Sequence, residues 1–92
     1  MLNAKQIENM ENLKNKLTEG ELKVLMALIK SSWAYGGDFT YADEVEIEYN
    51  SKELGGYISQ LTQKQVIYVD VEEYSKIGAW IGDFYELEEL LG

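Results

Sequence analysis

The chain has 92 residues, of which 46% are hydrophobic and 12% aromatic. That is too apolar for a disordered segment, and the length suits one domain, residues 1–92. It contains no Cys and no His, so thiol nucleophiles, disulfides, thiolate zinc sites and imidazole acid–base chemistry are excluded together. The formal net charge is −9 and is unevenly placed: residues 1–30 hold five lysines against four glutamates, residues 31–92 three lysines against thirteen acids.

All eight cations are lysine, which leaves no guanidinium fork for bidentate contacts to phosphate or guanine. The longest apolar run, residues 24–29, is far below the length that spans a bilayer, and the N-terminus lacks a signal-peptide core. A cytoplasmic location and no membrane partner are expected.

Ile7, Met10, Leu13 and Leu17 recur at spacings of three and four and predict an amphipathic helix over residues 3–16, so that 1–17 form an N-terminal helical segment. Thr18 with Glu21 spells a capping box and starts a second helix, which carries the stripe Leu22, Leu25, Met26, Ile29, Trp33, widened by Val24 and Leu28 and ended by Gly36 and Gly37. Residues 38–49 read either as helix or as strand. Thr40 and Asp43 offer caps, yet Val45, Ile47 and Tyr49 alternate with Glu44, Glu46 and Glu48, and the favoured reading is a turn of helix followed by a strand. Asn50 with Glu53 spells another capping box, and Leu54, Ile58 and Leu61 continue it as a third helix over residues 51–64.

From Val66 the period becomes two, predicting a strand over 66–72, a loop over 73–78, a returning strand over 79–85 and a terminal helical turn over 86–92. Of the aromatic residues, Trp33, Phe39, Trp80 and Phe84 are expected to fill the core beneath the hairpin.

The run Leu61, Lys64, Val66, Ile67, Val69, closing a helix and opening a strand, resembles the phrase x-x-L-x-x-K-G-L-I-x-V at the recognition helix and first wing strand of winged helix-turn-helix domains. Gln65 stands where that family commonly has a glycine in the left-handed conformation. The likeness covers residues 18–85 and implies a mainly α fold with a small antiparallel β wing. In size and acidity it is closest to small winged helices of phage or mobile-element type.

Two features depart from a DNA-binding member. The stretch that would lie across the phosphate backbone, residues 38–48, carries five acids and no cation, and the wing carries Asp70, Glu72, Glu73 and Asp83 against Lys76 alone. The expected function is therefore a non-catalytic acidic binding module whose carboxylates Asp43, Glu44, Glu46, Glu48, Asp70, Glu72 and Glu73 engage the basic surface of a protein partner, in the manner of a DNA-mimicking inhibitor.

The alternative is a DNA-binding transcriptional regulator, dimeric through the N-terminal helix, that contacts DNA with the N-terminal lysines and with Lys52, Ser59, Gln60, Gln63 and Lys64 of the third helix, Gly55 and Gly56 allowing close approach. No calcium-loop spacing and no glycine-rich phosphate cradle occur, so neither metal nor cofactor nor catalytic residue is expected.

Overall fold

The computed structural model describes Ala4, Glu8, residues 15–80 and residues 82–91. Within the first predicted helix, Ala4, Glu8, Asn15 and Lys16 are helical and exposed; Ile7, Met10 and Leu13, and with them the expected dimer contact, lie outside the described residues.

Helix α1 (Glu19–Ser32) opens with the complete capping box. The Thr18 hydroxyl accepts from the Glu21 amide at 3.2 Å, and the Glu21 carboxylate accepts from the Thr18 amide at 2.7 Å. Its buried face is Val24, Leu25, Leu28 and Ile29, with Glu21 and Ser32. This face is rotated from the predicted stripe: α1 has apolar residues around more than half its circumference, and α2 and α3 both pack against it. Met26 and Trp33 are left 42% and 45% exposed, so the expectation that Trp33 fills the core is corrected.

A 3-10 turn, Trp33–Tyr35, and the left-handed Gly36 end the helix as expected. Gly37 is needed for a second reason: a Cβ there would lie 2.3 Å from the Tyr85 ring, while its carbonyl accepts from the Phe84 amide at 2.8 Å.

Residues 38–49 form neither of the two regular elements alone. Thr40 makes an isolated antiparallel bridge with Ile77, Ala42–Glu44 form one 3-10 turn, and the chain then runs to Asn50 without a strand partner. The two-residue alternation survives without the ladder: Val45, Ile47 and Tyr49 pack against the core and Glu44, Glu46 and Glu48 face solvent.

Helix α2 (Ser51–Gln63) is capped by Asn50, whose Oδ1 accepts from the Glu53 amide at 2.8 Å, and buries Leu54, Ile58 and Leu61 as predicted. Gln65 takes the left-handed conformation itself, at φ 61°. The Val66 amide reaches the Leu61 carbonyl and the Gln65 amide the Thr62 carbonyl, each at 3.0 Å, which is a Schellman motif with buried Val66 beside buried Leu61.

Strand β1 (Ile67–Asp70) pairs antiparallel with β2 (Lys76–Ala79) in the register Ile67 to Ala79 and Asp70 to Lys76. The predicted return over 79–85 is corrected. A 3-10 turn, Val71–Glu73, followed by Tyr74 and Ser75, both at φ 60°, reverses the chain sooner. The earlier return inverts side-chain parity. Ile77 and Ala79 face inward, whereas Trp80, expected in the core, is 60% exposed beside Tyr68.

Residues 84 and 85 are likewise helical and not strand: α3 (Phe84–Leu91) begins two residues before the predicted turn, because the Asp83 carboxylate accepts from the Glu86 amide at 2.9 Å. Of the four aromatic core candidates only Phe84 is fully buried; Phe39 is half-buried in a ring cluster with Tyr35 and Tyr41.

The fold is mainly helical with one small two-stranded antiparallel sheet, and it is winged-helix-like: α1, the Thr40 bridge, α2 and the β1–β2 hairpin follow in that order, with α3 closing the core against α1 and β2. Among the described residues no helix is long and apolar enough to cross a membrane.

Leu25 and Leu61 are fully buried, so Leu25→Ala and Leu61→Ala are each expected to cost about 2–5 kcal/mol in urea unfolding. Gln65→Gly should act oppositely. Removing the left-handed strain while adding chain entropy to the unfolded state should stabilise by about 0.5–1 kcal/mol, and a loss of stability would show that the Gln65 side chain holds the turn.

Candidate functional site

The seven acids singled out by sequence lie on two separate elements. Asp43, Glu44, Glu46 and Glu48 occupy the connection between α1 and α2, and all four are exposed. Both ends of this connection are anchored. Thr40 exchanges backbone hydrogen bonds with Ile77 at 2.9 and 2.8 Å, its hydroxyl meets the Ser31 hydroxyl at 2.6 Å, and Asn50 closes the far end as the α2 cap.

Tyr35 donates its hydroxyl to Glu44. That hydrogen bond, then burial, then the charge of Glu44 push the Tyr35 phenol up to about 12. Glu48 is ion-paired with Lys23, whose ammonium also lies 5.4 Å from the Tyr49 ring centre. Asp43 and Glu46 have no side-chain partner among the described residues.

The second group sits at the wing tip and is more occupied. Asp70 accepts from the Glu72 amide at 3.1 Å and so caps the 3-10 turn, and Glu73 accepts from Lys76 at 3.0 Å. The Glu73 hydrogen bond holds the Lys76 ammonium above its usual value. Of these three acids only Glu72 keeps its carboxylate open to solvent without a partner among the described residues.

On α2, Lys52, Gly55, Gly56, Ser59, Gln60 and Gln63 share one exposed face, as a DNA-reading helix would require. A Cβ built at Gly55 or Gly56 would meet no atom within 4 Å, so no packing inside the described fold accounts for the pair. Lys64 does not join that face. Its ammonium donates to Glu21 Oε1 at 2.5 Å and to the Lys16 carbonyl at 2.9 Å, which removes it from the set of phosphate ligands.

Sequence reading missed the part played by Glu21, whose capping-box spelling was legible but not its burial, and it missed a groove lined by Met26, Trp33, Glu46 and Glu88. The groove had one sequence signal: Met26 and Trp33 lie on the α1 flank away from Val24 and Leu28.

Comparisons with protein-family models, with curated proteins and with solved structures find no match.

Glu21 is 1% exposed. Burial, the largest single influence, pushes its carboxyl up, but hydrogen bonds from Lys64 and Thr18 together outweigh it and hold the group below the usual carboxylate range. A lowered folded-state value stabilises the fold above the unfolded value and loses that contribution as pH falls through the folded one. Glu21→Gln is therefore expected to cost about 1–3 kcal/mol at pH 7. The deficit relative to wild type should close as the pH drops below the ordinary glutamate value of about 4.3. Urea titrations at a series of pH values check this, and a pH-independent deficit would mean that the charge on Glu21 contributes nothing.

Proposed function

We propose that this protein is an acidic member of the winged helix-turn-helix family that acts by binding and not by catalysis, and that its partner is a protein with a basic, nucleic-acid-binding surface. The observation that carries the reading is the connection between α1 and α2. Where a DNA-binding winged helix presents a helix to backbone phosphate, this chain presents exposed Asp43, Glu44, Glu46 and Glu48 on a segment anchored at both ends.

Carboxylates held this way repel phosphate and attract a surface built to bind it. An anchored segment also loses little further conformational freedom on binding, which favours affinity for a given charge. With Lys64 tied to Glu21 and Lys76 to Glu73, Lys52 is the one lysine of residues 31–92 with no ion pair among the described residues, against thirteen acids in that span, a balance that disfavours the phosphate neutralisation on which DNA affinity depends.

The regulator reading keeps one observation in its favour, the unobstructed face of α2 with Lys52, the glycine pair, Ser59, Gln60 and Gln63.

The two readings separate in a mobility-shift assay. Random duplex DNA at micromolar protein and low salt should show no shift, whereas salt-sensitive binding weakened by Lys52→Ala would establish the regulator instead. A partner captured by the full chain should be released by competing duplex DNA and by raised ionic strength. Capture should also fail with Asp43→Lys plus Glu46→Lys, folding having been checked by circular dichroism. A partner that still binds this charge-reversed chain at parental affinity would overturn the proposal.

A further inference from the structure

A groove of about 440 Å³ lies between the exposed flank of α1 and the acidic connection. This volume is in the range that holds small ligands or deeply inserted side chains. Met26, Trp33 and Ile47 form its apolar surface, and its rim is charged by Lys23, Lys30, Glu46, Glu48 and Glu88. Met26 on the exposed flank of α1 and Trp33 in the 3-10 turn that follows it are large, exposed and apolar and line the same groove, a feature of docking surfaces. Lys23 neutralises Glu48. The rim charges left over are Glu46 and Glu88 against Lys30, a surplus of one negative charge beside an exposed indole.

That combination selects among cations. A guanidinium stacks its plane on an aromatic face and offers paired donors to carboxylates; an ammonium, whose stem covers apolar surface equally well, lacks the paired fork and meets the ring only as a point charge.

We propose that the groove is the seat of an arginine side chain from a basic segment of the protein partner, stacked on Trp33 and paired with Glu46 and Glu88. This rests on the reading that the partner is basic, and it adds which surface meets it and which residue type is recognised. It also makes Met26 and Trp33, and not only the acids, determinants of binding.

The test uses the full chain carrying Trp80→Phe, which leaves Trp33 as the only tryptophan, with hexa-arginine amide and hexa-lysine amide as probes. Hexa-arginine should change Trp33 emission saturably, and hexa-lysine should bind about tenfold more weakly. Glu46→Gln with Glu88→Gln should weaken hexa-arginine at least about tenfold. Glu19→Gln with Glu89→Gln, which removes the same charge at exposed positions outside the groove lining, should weaken it less than about twofold. In calorimetry, Trp33→Ala should lower affinity for hexa-arginine by at least about fivefold.

Equal weakening by the two neutralised pairs, or equal affinity for the two peptides, overturns the groove assignment and leaves the acidic-module reading standing. Absence of hexa-arginine binding to the parent chain at low salt removes both.

Discussion

The buried carboxylate of Glu21 is the point on which the rest of the fold depends. It accepts the Thr18 amide at the start of α1 and the Lys64 ammonium at the end of α2, and Lys64 in turn donates to the Lys16 carbonyl. A charge this deeply buried is tolerable only with its partners in place, and removing one strands the other. The geometry at Lys64 has consequences further along, since this residue is the α2 cap and the next two, left-handed Gln65 and buried Val66, turn the chain into β1. Helix start, helix end and wing direction are thus joined through one side chain.

That junction also shapes the electrostatic character of the surface. Of the three lysines in residues 31–92, Lys64 is held by Glu21 and Lys76 by Glu73, with Lys76 placed over the Phe39 ring at 5.3 Å. Two of the three cations that a nucleic-acid binder would direct outward are thus held by carboxylates of the domain itself. The acids show the reverse tendency along the α1–α2 connection, where the core takes Val45, Ile47 and Tyr49 and the intervening glutamates are turned to solvent. Packing, and not only composition, puts the negative charge where a partner can reach it.

The wing follows the same logic with aromatic residues. Tyr68 lies over Gly78, where a Cβ would come within 2.4 Å of its ring, and meets Trp80 edge-on at a centroid separation of 6.4 Å. Tyr74, 92% exposed and left-handed at the tip, completes a surface on which Tyr and Trp stand clear of the core. Left-handed conformations at two successive non-glycine residues are costly, and they give the tight reversal that brings Ile77 and Ala79 inward.

Local chemistry was legible in the sequence wherever it acts within a few residues. The capping boxes at Thr18 and Asn50, the stop at Gly36, and the α2 spacing of Leu54, Ile58 and Leu61 depend on backbone groups close in the chain, and each stands where the residues place it; the strand predicted over 66–72 is present but shorter, Ile67–Asp70, because the Val71–Glu73 turn takes its end. The same spelling at Asp83 and Glu86 was present but read through the period-two pattern of its neighbours, and so the start of α3 was missed.

What only the tertiary structure decided is which side of an element faces the core. An α1 apolar around most of its circumference cannot choose its buried face alone; α2 and α3 choose it, and Met26 and Trp33 are left outside. Trp80 depends on hairpin register, where returning a few residues earlier reverses every side chain. The partnership of Glu21 with Lys64 spans 43 positions, a distance over which sequence spacing carries no geometric information, and only the packed fold brings the two charges together.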